Sequence, residues 1–209
     1  MAMRRWKTAA ACLTLSLLLI VPAAASAGER MTIGIGQGER GDTVEHDRSP
    51  ERGAFQVLFL TGTSGHDHMA VKLGASGERF LIRTNRRVRL GSGCRRRSEH
   101  VINCRSTGVR GIAFSAGRAN DDVEVARTIE RYSAADLGAG NDTFDGGGGN
   151  DLTVGGAGAD TMRANGDKDG LIGGKGRDRL HGGSGEDYIR GGKGRDRVNG
   201  GPGTDDVRR

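Results

Sequence analysis

Between residues 137 and 208 the same polar and apolar pattern returns every nine positions, eight times without a gap. Position 8 of each nonad is Phe144, Thr153, Met162, Leu171, Leu180, Ile189, Val198 or Val207, apolar in every case but the threonine. Two places earlier stands an aspartate each time. A period of nine is neither the 3.6 of an amphipathic helix nor the simple alternation of a long strand. It predicts a very short strand over positions 7 to 9, with position 8 turned inward and a tight turn over the rest. Ahead of the array, strand-like runs recur at 55–60, 69–73, 80–82, 101–102 and 123–125. Gly, Asn, Asp and Arg clusters between them read as turns. No segment beyond residue 27 has a convincing helical period.

The nonads over 173–208 all read G-G-x-G-x-D-x-U-x, with U apolar. Glycines at positions 1, 2 and 4 allow tight turns and leave no Cβ to obstruct a bound ion. The position-6 residues Asp142, Asp151, Asp160, Asp169, Asp178, Asp187, Asp196 and Asp205 supply hard carboxylate oxygens. Turn carbonyls, including those of Gly147, Gly156, Gly174, Gly183, Gly192 and Gly201, can add more, and calcium takes about 6–8 such oxygens. A Gly/Asp-rich linker is the plainer alternative, but a linker has no reason to keep an apolar residue two places after each aspartate.

The array resembles the RTX (haemolysin-type) calcium-binding repeat family. The resemblance implies an all-β fold in which two nonads make one turn of a parallel β-roll, a form of β-helix. It also implies calcium held between the loop of one nonad and the loop two nonads on: Asp142 with the loop of Asp160, Asp151 with that of Asp169, and so on to Asp187 with that of Asp205. Eight nonads allow six such pairings. The departures fall early in the array: Leu137 and Ala164 replace the first glycine, Asn165 the second and Asp167 the third. Sites over 173–207 therefore match best, and those touching 164–172 least. One buried side chain per nine ordered residues is little return for the conformational entropy lost. Stacked aspartates also repel, so the array is expected to be largely disordered until calcium binds.

The chain carries a formal net charge of +6. Arg4, Arg5 and Lys7 precede an uncharged run ending in Ala25, Ser26 and Ala27, the pattern of a secretory signal peptide over 1–27. The apolar centre, 13–21, is short for a membrane span of roughly 20 residues, so no transmembrane segment is expected after the leader is removed. Removal lowers the charge to +3 and leaves Cys94 and Cys104, which are expected to pair in an exported chain. The leader, a strong preference for arginine over lysine, and no tail of the kind RTX exporters read resemble a secreted actinobacterial protein.

Residues 28–136 are expected to form an irregular β-helical stack or a small separate β unit ahead of the roll at 137–209. Decayed nonads support the stack: residues 62–70 keep Asp67 and Met69, residues 116–124 keep Asp121 and Val123, and Gly41-Asp42-Thr43-Val44 is a fainter echo. His66 and His68 have metal-ligand spacing and would point the same way on a strand, but no third ligand is apparent. Gly34-Ile35-Gly36-Gln37-Gly38 lacks the helix and Lys-Ser/Thr of a phosphate loop and reads as a flexible turn. The chain has neither the H-E-x-x-H motif nor the G-x-S-x-G elbow expected of RTX proteases and lipases. The expectation is a secreted, non-catalytic calcium-binding protein with a structural or adhesive role, its partners calcium and a cell-envelope or extracellular polysaccharide. No nucleic-acid partner is expected. A small secreted hydrolase with its site in 28–136, or a polysaccharide-binding module using a loop of Arg95, Arg96 and Arg97, are the alternatives.

Overall fold

The structure is a computed structural model that describes the strand backbone of residues 31–38 and residues 55–209; the leader and the echo at Gly41 lie outside the described residues. Its first half holds strands β1 (Met31–Gly38), β2 (Phe55–Thr61), β3 (His68–Leu73), β4 (Arg79–Thr84), β5 (Val88–Leu90), β6 (Cys94–Ser98), β7 (Val101–Arg105), β8 (Val109–Arg118) and β9 (Asp122–Val125). The second half holds β10 (Tyr132–Ala139), β11 (Thr143–Asp145), β12 (Asp151–Ala157), β13 (Thr161–Gly166), β14 (Gly170–Gly176), β15 (Arg179–Ser184), β16 (Tyr188–Gly194), β17 (Arg197–Asn199) and β18 (Asp206–Arg208). No helix occurs among the described residues, so none there is long and apolar enough to cross a membrane.

From β8 onward the chain alternates between two nine-stranded sheets, which makes a parallel β-solenoid of about 5 turns. Pairing repeats at two nonads per turn: Phe144 stands beside Met162, Met162 beside Leu180, and Leu171 beside Ile189. The all-β, β-roll expectation is met. Strands β11, β17 and β18 are the three-residue strands over positions 7 to 9 that the repeat predicts. The other strands of the roll are longer, because pairing between turns continues from position 9 into the first positions of the next nonad, as in Asp151–Ala157.

Position-8 side chains stack into two apolar ladders inside the solenoid. One runs Met69, Val123, Phe144, Met162, Leu180, Val198. The other runs Leu60, Phe114, Ala135, Thr153, Leu171, Ile189, Val207. Burial is complete or nearly so down to Ile189, then fails at the last turn described, where Val207 is 39% exposed. Thr153 is fully buried and its hydroxyl has no hydrogen-bond partner.

The turn formed by β2 and β3 stacks in parallel on β8 and β9. Between β3 and β8 the chain inserts β4, β7 and β6, antiparallel strands that extend one sheet, with Phe80, Ile82, Ile102 and Cys104 buried beneath them. Cys94 and Cys104 form a disulfide directly opposite one another on β6 and β7. Arg95, Arg96 and Arg97 therefore lie on a strand and not in a loop, because pairing with β7 continues outward from the bridge. Gly34 to Gly38 are likewise no turn. They lie in β1, antiparallel to β2, with Gly34 opposite Phe59 and Gly38 opposite Phe55. The alternation Met31, Ile33, Ile35 is the period-two signal that the glycines mask.

Candidate functional site: two ladders of buried aspartates

Each position-6 aspartate sits at a turn between the two sheets, and the one-turn repeat places it over its counterpart in the next turn. Its backbone N–H donates to Oδ1 of that counterpart. In the first ladder Asp67 donates to Asp121 at 2.8 Å, Asp121 to Asp142 at 2.7 Å, Asp142 to Asp160 at 2.9 Å, Asp160 to Asp178 at 3.0 Å and Asp178 to Asp196 at 3.1 Å. In the second, Asp151 donates to Asp169 at 2.7 Å, Asp169 to Asp187 at 3.0 Å and Asp187 to Asp205 at 3.0 Å. All six pairs drawn from the nonads are thus brought together. The ladder also reaches back through Asp121 to Asp67, the aspartates of the two decayed nonads.

These carboxylates are removed from water. Asp142, Asp151, Asp160, Asp169, Asp178 and Asp187 are at most 3% exposed, while Asp196 and Asp205 at the open end are half-buried. The second oxygen, Oδ2, of Asp121, Asp142, Asp160, Asp169, Asp178 and Asp187 is buried with no hydrogen-bond partner. Burial first, and the neighbouring carboxylates of the ladder second, disfavour the charged form against the hydrogen bonds that favour it. Burial pushes Asp142 and Asp160 up to about 6, Asp121 and Asp151 to about 7 and Asp169 to about 8. Asp178 and Asp187 are raised for the same reason.

The chain's own cations do not answer this charge. Lys175, Arg177, Arg179, Lys193, Arg195 and Arg197 are exposed, and among the described residues no roll aspartate of the ladders has an ion pair. The exception is at the start. Among the described residues no preceding turn donates to Asp67 Oδ1; the Arg86 Nε forms an ion pair with it at 2.9 Å, its N–H being donated to the His66 carbonyl. Thr63 supplies two donors to Asp67 Oδ2. The second ladder is closed in the same way by Ser133, whose N–H and hydroxyl both donate to Asp151 Oδ1.

The turns leave space only where glycine stands. Gly156, Gly174, Gly183, Gly192 and Gly201 have φ between +104° and +121°, and a Cβ on Gly174 would lie 2.2 Å from the Gly156 carbonyl oxygen of the turn before. Gly147 differs, since a decayed turn precedes it, and its N–H donates to Asp151 Oδ2 at 2.9 Å. At position 1, a Cβ on Gly173 would lie 2.4 Å from Asp178 Oδ2 and 2.5 Å from the Gly191 carbonyl; on Gly155 the same pair is Asp160 and Gly173. A buried, unpartnered carboxylate oxygen thus shares a small gap with a carbonyl of the next turn. In the departing nonad, Asn165 and Asp167 accept positive φ, and Ala164 buries its methyl in the core.

Among the described residues no three His, Cys, Asp or Glu side chains converge on one point. The groups around each gap are a carboxylate oxygen and backbone carbonyls, an oxygen set of the kind that suits a hard ion such as calcium. His66 and His68 are not on one strand. Only His68 is on a strand; its Nδ1 meets Asp122 Oδ2 at 2.8 Å, and His66 Nδ1 meets the Asn120 carbonyl. Arg86 and Ser133 escaped the sequence reading. Ser133 lies eighteen residues before Asp151 and Ala135 eighteen before Thr153, so counting back one turn would have found that decayed nonad.

The family model for the RTX calcium-binding nonapeptide repeat, in four copies, matches residues 136–162, 154–180 and 172–207. No curated protein and no solved structure matches the chain. Residues 136–207 of this chain are an array of RTX calcium-binding nonapeptide repeats, folded as a parallel β-roll.

Proposed function

We propose that this is a secreted, non-catalytic protein whose roll folds on calcium outside the cell and serves a structural or adhesive role at an extracellular polysaccharide surface. The observation that carries the calcium-driven step is the pair of ladders: buried aspartates, six of them with one oxygen without a partner, and no ion pair from the roll's own lysines and arginines. At neutral pH such a stack stays compact only if external positive charge offsets it. Asp142, Asp151, Asp160, Asp169, Asp178, Asp187, Asp196 and Asp205, with the carbonyls of the glycine turns, would hold the ion. Bound calcium supplies charge neutralisation and a cross-link between successive turns.

Secretion joins this account because extracellular calcium is abundant enough for sites of roughly 10⁻⁴–10⁻³ M affinity. A chain unfolded before export and folded after it needs no other trigger. The non-catalytic reading is supported by where the chemistry lies: the carboxylates with values of 6 or above belong to the ladders, and His66 and His68 are engaged by Asn120 and Asp122.

Trypsin tests the folding step directly. With a chelator, cleavage is expected after Arg177, Arg179, Arg195 and Arg197; with millimolar calcium these bonds should survive, and magnesium should not protect them. Equal cleavage in calcium and chelator would refute the proposal. Export is tested separately by expressing the whole chain in a secreting bacterium, where a mature N-terminus at Gly28 is expected.

A further inference from the structure

The end of the solenoid opposite Val207 is built from arginine. Between residues 79 and 110 the chain carries ten arginines and a single acidic residue, Glu99, which is taken by Arg87 at 2.8 Å. Arg86 is held by Asp67, and Arg96 donates to the carbonyls of Val88 and Glu99. Arg79, Arg95 and Arg105 are different. They line, with Gly93 and Cys94, one pocket of about 230 Å³, and among the described residues none of the three has an ion pair or a side-chain hydrogen bond.

Their placement is dictated by the strands. Arg79 stands directly opposite Arg105 across β4 and β7, and Phe80 and Cys104 beside them are fully buried, so both arginines face outward together. Arg95 follows Cys94 on β6, which the disulfide fixes against Cys104. Like charges directly opposite one another weaken a strand pair. Here the buried side chains and the disulfide hold the strands that carry them in place regardless, with no carboxylate among the described residues of the lining. Guanidinium groups brought together on one face match the paired oxygens of carboxylate and sulfate.

We infer that the Arg79–Arg95–Arg105 pocket binds the anionic groups of an acidic polysaccharide. The choice of ligand rests on the extracellular, adhesive part of the proposed function; the site itself does not depend on calcium. Among the described residues no aromatic side chain lines the pocket to give the stacking platform that single-stranded nucleic acid uses.

The test is binding of the full mature protein, in calcium, to hyaluronate (carboxylate) and to heparin (sulfate), with neutral dextran and single-stranded DNA as comparisons. The triple variant Arg79→Gln, Arg95→Gln, Arg105→Gln should weaken binding to at least one acidic polysaccharide by about tenfold or more at 0.15 M salt, the loss of a few charge-assisted contacts. A charge-matched variant, Arg163→Gln, Arg177→Gln, Arg190→Gln, should change it by less than about threefold. If the pocket variant misfolds, the Arg→Lys triple decides. It keeps the charge but loses the guanidinium groups, and an unchanged affinity overturns the inference. Equal losses in the two triples, no binding to either acidic polysaccharide, or tighter binding to DNA also overturn it. Circular dichroism on the same samples separates the two ideas. A calcium response without arginine-dependent binding sinks only the pocket, and the converse sinks only the calcium-driven fold.

Discussion

Replacing Arg86 with alanine should destabilise the folded protein by about 2–3 kcal/mol, although the residue lies fifty positions before the family-matched repeats. Its Nε is 2.9 Å from Oδ1 of Asp67, a carboxylate with no exposed surface. In the turns that follow, that oxygen receives a backbone N–H from the turn before; for Asp67 no such donor occurs among the described residues. Removing one member of a fully buried pair costs about 3–5 kcal/mol, since the other charge is stranded. The Arg86 side chain is 45% exposed, and Thr63 still donates twice to the other oxygen, which places the loss below that range. The assay is urea unfolding at saturating calcium, followed by far-UV circular dichroism. Asp67→Asn in the Arg86→Ala background should recover about half the loss, because a neutral amide needs no cation. A loss under about 0.5 kcal/mol for Arg86→Ala, or no recovery in the double variant, would refute the reasoning.

Three other outcomes are expected. Burial raises Asp142 and Asp160 from 3.8 to about 6, Asp121 and Asp151 to about 7 and Asp169 to about 8 in the folded state. A raised value means the folded state holds the extra proton, so their contribution is present below about pH 4 and is lost as pH rises through 6 to 8. Calcium-free protein should therefore gain β signal on acidification from pH 8 toward pH 5, while apparent calcium affinity falls over the same range; β content that is flat with pH would contradict this. Thr153→Val removes a buried hydroxyl without a partner and should stabilise the calcium-bound protein by about 1 kcal/mol, read as a shift in urea midpoint. Gly192→Ala places a Cβ 2.2 Å from the Gly174 carbonyl at φ +106° and should cost more than about 2 kcal/mol, with a matching rise in the calcium needed to fold; a neutral result would mean the turn geometry is wrong.

The roll was legible because its chemistry is local: one aspartate, one inward apolar residue and the turn glycines recur within every nine residues. Asp67 with Met69 and Asp121 with Val123 could be picked out by the same spacing where only some of the glycines remain. What could not be read depends on distance along the chain. Asp67 and Asp121 are 54 residues apart yet stack as neighbours, because β4 to β7 are inserted between them. The partner Arg86 belongs to that insertion and follows no repeat. Strand β1 was hidden because its glycines imitate a turn, and β6 because three charged residues in a row imitate a solvated loop. Each is set by the strand it pairs with and not by its own composition. The position-1 departures at Leu137 and Ala164 read as defects in sequence, whereas in the fold both side chains join the buried core.

The most direct test of the central claim is a calcium titration of the purified mature protein followed by far-UV circular dichroism at pH 7.5, with magnesium in parallel. The aspartate ladders require a calcium-specific, saturable rise in β signal that a chelator reverses. The same spectrum with and without calcium would show that the stacked carboxylates are tolerated without the ion, and the account of the roll as a calcium-driven fold would be wrong.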